Sequence, residues 1–118
     1  MKRVRDDEVD GDEFGTLLYE GEPFTGEVVE AAPSGQIISL MTYKDGYEDG
    51  PWLEWYPDGS PRIEGQNVFG KGAVGRWREW YSNGQLAKDQ EFDERGNEIS
   101  RRQWDEDGNL VEDVMYRK

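Results

Sequence analysis

The 118-residue chain contains neither cysteine nor histidine. Without cysteine there is no disulfide, no thiolate metal site and no sulfur nucleophile. Without histidine the commonest general base and the commonest transition-metal ligand are both missing. No apolar run approaches the length of a membrane-spanning helix, and the opening stretch MKRVRDDEVDGDE is charged throughout, unlike the apolar centre of a signal peptide. The expected location is therefore the cytoplasm. Apolar residues are scarce as well, at 34% of the chain against 35% charged residues, a balance that by itself points toward disorder. The 13% aromatic content, with five Trp, six Tyr and four Phe, opposes that reading. Such large side chains support a thin aromatic-rich fold rather than a thick aliphatic core.

Positive charge is the other shortage. Fourteen Lys and Arg stand against 27 Asp and Glu, for a net charge of −13. A surface of that sign repels nucleic acid phosphates and anionic lipid headgroups, and it speeds encounter with basic proteins. Neither nucleic acid nor membrane is expected as a partner. The bland alternative is that the charge keeps the protein soluble.

Residues 1–13 carry three basic and six acidic side chains and almost nothing to bury, and read as a flexible N-terminal arm or a late-ordering edge. From residue 14 to 118 the sequence repeats. Gly35, Gly59, Gly84 and Gly108 are spaced by 24, 25 and 24 residues, and Gly26, Gly50 and Gly75 keep the same register. A period of this size is the mark of a repeat architecture. Each unit reads as two short strands around a turn. Asp58-Gly59, Asn83-Gly84 and Asp107-Gly108 are strong hairpin signals, because both central residues of a type I′ turn need positive φ, and Ser34-Gly35 is the weaker version. Pro61 marks a bulge or an edge just after its turn, and the extra length between Val68 and Gly72 predicts a further bulge or looser turn. The glycines recur too often for helices. The expected fold is all-β, a single curved antiparallel meander of roughly eight strands in four hairpins.

The best-preserved first strands read Trp52-Leu53-Glu54-Trp55-Tyr56 and Trp77-Arg78-Glu79-Trp80-Tyr81. Alternation places Trp52, Glu54 and Tyr56 on one face and Leu53 and Trp55 on the other. Packing between repeats accounts for any single Trp. An aromatic row rimmed by carboxylates is also what a protein-binding surface needs, since Trp and Tyr are favoured anchors. The candidate partner-binding residues are Glu54, Trp55, Glu79, Trp80, Trp104 and Asp105. The second strands, such as Leu86 to Phe92, are apolar only at their ends, which predicts half-buried strands with a wet middle.

Catalytic and metal motifs are weak. Asp6, Glu8, Asp10 and Gly11 mimic the start of an EF-hand loop, but Leu17 stands where the bidentate Glu belongs. No phosphate loop or nucleophile elbow appears. The expectation is a non-enzyme with no catalytic residues, no metal and no cofactor.

The pattern Gly50-Pro51-Trp52-Leu53-Glu54-Trp55-Tyr56-Pro57-Asp58-Gly59, repeated as Gly75-Arg76-Trp77-Arg78-Glu79-Trp80-Tyr81-Ser82-Asn83-Gly84, resembles the MORN-variant repeat (membrane occupation and recognition nexus). Gly21-Glu22-Pro23-Phe24-Thr25-Gly26-Glu27-Val28 is similar to the start of the bacterial YwqK-like antitoxin family, which is built from these repeats. The resemblance implies a β-hairpin repeat sheet that binds and blocks a cognate protein toxin. Given the acidic surface, a basic, nuclease-like toxin is the expected partner. The alternatives are a MORN scaffold or membrane-associated module, which the negative charge opposes, and an aromatic glycan- or choline-binding repeat, which would need export. Exposed end strands also admit a dimer.

Overall fold

A computed structural model describes residues 2–116, so the outermost residues of the expected arm and repeat domain, 1 and 117–118, lie outside the described residues. The fold is almost entirely β. Eight strands form the expected meander: β5 (Gly26–Ala31), β6 (Ile37–Lys44), β7 (Tyr47–Trp55), β8 (Pro61–Val68), β10 (Gly75–Trp80), β11 (Leu86–Phe92), β12 (Glu98–Trp104) and β13 (Leu110–Met115). They lie side by side in that order, each antiparallel to the next. The extra residues near Val68 build a miniature hairpin, in which β9 (Gly72–Ala73) folds back on the end of β8.

Each repeat turns at its glycine, but not in the expected type I′ conformation. Gly35, Gly59, Gly84 and Gly108 have φ between 87° and 94°, while the residues before them do not have positive φ. Gly59 N–H donates to the Tyr56 carbonyl and Tyr56 N–H to the Ser60 carbonyl, and the same pair of bonds recurs at Ala32–Gln36, Tyr81–Gln85 and Asp105–Asn109. These are three-residue loops, a type I turn followed by a left-handed glycine. The short polar residue before the glycine, or the one just ahead of the loop, secures the turn. Ser60 N–H donates to Asp58, Gln85 N–H to Asn83, and both Asp107 and Asn109 N–H to Asp105. The two-residue form occurs between units instead, at Asp45-Gly46, where φ is 52° and 88°.

One pair beyond each turn the register slips by one residue. Glu54 faces Ile63 but Trp55 faces Pro61, so Arg62 is the extra residue. Ile38, Ala87 and Val111 are the corresponding bulges in the other hairpins. A recurrent bulge of this kind increases local twist and re-aims the adjoining side chains.

The charged opening stretch is part of the fold rather than a free arm. β1 (Arg3–Arg5) adds to β5 in parallel, with Val4 opposite Val28. A single turn of 3₁₀ helix (Asp6–Glu8) then leads into a small sheet of β2 (Val9–Gly11), β3 (Leu17–Tyr19) and β4 (Glu22–Pro23). The reason is one apolar side chain: Val4 is 4% exposed and joins Phe24 and Val28 in a core that Val9, Leu17, Tyr19 and Tyr43 surround. Glu8, from the EF-hand-like motif, accepts from Arg5 N–H instead of lining a cation loop. Among the described residues the buried hydrophobics are Val4, Phe24, Val28, Val29 and Leu40, none of them beyond residue 40. Beyond Gly46 no described residue is buried. The C-terminal hairpins are therefore a single sheet wetted on both faces.

Candidate functional site

Two equivalent ties join the hairpins at their turns. The Tyr56 hydroxyl donates to the Trp80 carbonyl at 2.7 Å, and Tyr81 does the same to Trp104 at 2.8 Å. Each tyrosine thus holds the next repeat near the start of its turn. This fixes the heights of Trp55, Trp80 and Trp104, which occupy the same position in successive units. Across the strand pair they face Pro61, Leu86 and Leu110. Directly opposite residues share a face, so an apolar row runs along the turn rim. None of the three Trp is buried. Arg78 lies over the Trp80 ring at 5.6 Å, within cation–π range.

On that same face, away from the rim, lies a row that sequence reasoning missed. Glu64 stands opposite Arg78, Arg78 opposite Asp89, Asp89 opposite Arg102, and Arg102 opposite Asp113. Charge alternates strand by strand across β8, β10, β11, β12 and β13. Glu64 and Arg78 approach to 3.2 Å, and Arg102 and Asp113 to 3.3 Å. The signal was available, because Glu64, Asp89 and Asp113 follow the repeat period and so do Arg78 and Arg102.

The other face holds the remaining candidates. Trp52 Nε1 donates to Glu54 at 2.7 Å and Trp77 Nε1 to Glu79 at 3.0 Å. Arg62 and Lys88 neutralise these carboxylates at 3.7 and 4.0 Å. The two indoles meet with centroids 5.9 Å apart, and Trp77 lies directly over Gly65, where a β-carbon would come within 2.0 Å of its ring. Further along, Arg101 Nε sits 2.6 Å from Glu112, Gln103 donates to Glu112, and Gln90 donates to Glu98. Burial opposes the charge on Arg101, but Glu112 and Glu98 outweigh it and hold the guanidinium above its usual value.

The six sequence-predicted residues therefore do not form one patch. Trp55, Trp80 and Trp104 share a face, whereas Glu54 and Glu79 are on the opposite face, already partnered by indole N–H groups. Asp105 belongs to a turn. Its carboxyl is held below the ordinary value by the backbone N–H of Asn109, with the Asn109 side chain and Asp107 adding to the effect. Asp58 is lowered in the same way, chiefly by the Ser60 hydroxyl and N–H. A cleft of about 830 Å3 lies at the inter-repeat rim, lined by Val68, Lys71, Val74, Phe92, Arg95 and Ile99, away from all six candidates.

The tandem hairpins, their shared turn geometry and their tyrosine ties define a β-hairpin repeat protein. The sequence profile of the MORN repeat variant matches residues 48–66 and 73–94, the second and third units. No curated protein and no solved structure matches the chain. The two matched repeats suggest a repeat scaffold for protein interaction. Among the described residues no helix is long and apolar enough to cross a membrane.

Proposed function

We propose that this chain is a non-catalytic cytoplasmic antitoxin that binds a cognate toxin and blocks it stoichiometrically. One observation carries the reading: beyond Gly46 the sheet leaves its Trp and Tyr side chains at most half-buried on both faces, in a chain of net charge −13. Half-buried aromatic side chains held in place on a sheet are suited to anchoring a protein partner with little loss of conformational entropy. The negative field favours a basic partner, such as a nuclease whose active site normally receives phosphate, through faster encounter. The row of Trp55, Trp80 and Trp104, flanked by the alternating charges from Glu64 to Asp113, is the surface assigned to this contact. The resemblance to the YwqK-like family is what makes the partner a toxin rather than another protein.

Expression of the neighbouring reading frame alone and together with this chain tests the proposal. The expected result is growth arrest by the neighbour alone and rescue on co-expression. Rescue should be lost in a Trp80→Ala, Trp104→Ala double variant that still folds by circular dichroism. A neighbour that is harmless by itself would remove the antitoxin reading.

A further inference from the structure

The sheet ends differently on its two sides. At one end β1 is three residues long, and its Arg5 N–H is already taken by the Glu8 side chain. At the other end lies β13, and among the described residues no strand pairs with its outer edge. Proteins usually blunt such an edge with lysine, proline or an extra bulge. β13 has no Lys or Pro, and its bulge at Val111 lies near its start, leaving Glu112 to Met115 regular. Four of the seven exposed large apolar side chains among the described residues lie here. Val111 is 63% exposed and Met115 77%, and Leu110 and Tyr116 are exposed too. Tyr116 N–H donates inward to the Ile99 carbonyl. With one-to-one register back to Asp113, alternation turns the N–H and C=O groups of Asp113 and Met115 outward.

Charge complementarity says what fits. The row Glu64, Arg78, Asp89, Arg102, Asp113 ends on a carboxylate at this edge. On the other face the row Glu79, Lys88, Gln103, Glu112 does the same. Each row would continue with a cation on the next strand. A second copy of the chain supplies no cation to either row: self-pairing about Glu112 or Asp113 sets like charges together, and self-pairing about Val114 sets Asp113 against Met115. We infer that the outer edge of β13 is a β-addition site for an extended segment of a protein partner carrying two adjacent basic residues flanked by apolar, β-branched ones. Main-chain bonds to Asp113 and Met115 supply affinity, and the basic pair opposite Asp113 and Glu112 supplies register. The inference rests on the protein-binding reading above but not on the partner being a toxin.

The probe is a fluorescein-labelled peptide, acetyl-Thr-Val-Val-Arg-Lys-Val-Ile-Thr-amide, titrated with the full chain and read by anisotropy. The control is the same peptide N-methylated at alternate residues, which keeps the charge and removes the main-chain donors. The expected result is binding that weakens roughly tenfold or more with the N-methylated peptide, and likewise with Met115→Pro, which removes an outward N–H. Glu112→Lys with Asp113→Lys should lose the basic peptide and gain its Glu-Asp counterpart. Equal affinity for both basic peptides would show attraction to the acidic surface at large and overturn the proposal. So would a dimer of the chain that Met115→Pro dissolves, which assigns the edge to a second copy. If Met115→Pro leaves the affinity for the basic peptide unchanged, the edge proposal falls, while the antitoxin reading, tested by co-expression, stands. Peptide capture alongside a harmless neighbour has the reverse meaning.

Discussion

Gly65→Ala is the sharpest test of how the middle repeats pack. Gly65 lies in β8 opposite Trp52, and its φ lies outside the left-handed region, so alanine meets no backbone strain. The obstacle is the Trp77 ring. An added β-carbon would lie 2.0 Å from Cε3, 2.4 Å from Cζ3 and 2.7 Å from Cδ2, well inside contact distance. The indole must lift. Overpacking of this kind costs about 1–3 kcal/mol. Lifting also separates Trp77 from Trp52, a pair worth roughly 0.5–1.5 kcal/mol, and pulls Nε1 away from Glu79. Alanine returns about 0.5–1 kcal/mol of backbone entropy relative to glycine in a strand. The net expectation is a loss on the order of 2 kcal/mol, a large share of the ~5–15 kcal/mol typical of a domain. Urea unfolding followed by far-UV circular dichroism measures it, with Trp77→Ala and the double variant completing a cycle. If the ring is the obstacle, Gly65→Ala becomes neutral or mildly stabilising once Trp77 is absent. A Gly65→Ala penalty of the same size in both backgrounds would refute the packing argument.

Removing either inter-repeat tie, by Tyr56→Phe or Tyr81→Phe, should cost about 1 kcal/mol in urea unfolding, because the Trp80 or Trp104 carbonyl loses its donor. Two turn glycines should respond differently to alanine. Gly84 and Gly96 both have φ near 85–88°, but Gly84 faces open space, whereas a β-carbon on Gly96 would sit 2.2 Å from the Lys71 carbonyl oxygen. Gly84→Ala should cost only the left-handed strain of about 1–2 kcal/mol, and the thermal midpoint of Gly96→Ala should fall distinctly further. Asp105 has a folded pKa below its unfolded value, so its contribution is complete above the unfolded carboxylate value of about 3.9 and is lost as pH falls through the folded one. Asp105→Asn keeps the acceptor oxygen and cannot titrate, so urea midpoints between about pH 5 and pH 2 should fall less steeply for the variant than for the unaltered chain.

Periodicity was the legible part of this fold. Glycines in register at two offsets locate the hairpins because each turn type considered needs a residue of positive φ at the glycine. The turn type itself was not legible. Asp58-Gly59 and Asp45-Gly46 look alike as dipeptides, yet only the second is a two-residue turn, since the choice depends on how the flanking strands register. The place of the opening stretch was hidden for a related reason. Val4 finds Val28 through a parallel pairing across the sheet, and nothing local in a run of charges announces a distant partner. Among the candidate residues, alternation alone separates Glu54 from Trp55, so their split between faces was written in the sequence. The engagement of Glu54 by Trp52 and of Glu79 by Trp77 depends on side-chain rotamers and was not. Gly65 was equally silent, because its role is to leave room for a ring from the next hairpin.

All the side chains shielded from solvent lie at the β1–β5–β6 end, so the molecule has a stability gradient along its length. Amide hydrogen exchange should be slowest around Val28, Val29 and Leu40 and quicken toward Leu110–Met115. The outermost hairpin is then the segment that opens most often. A partner strand that lengthened the sheet there would also clamp its loosest part, and the resulting slowdown in exchange would reach inward, hairpin by hairpin.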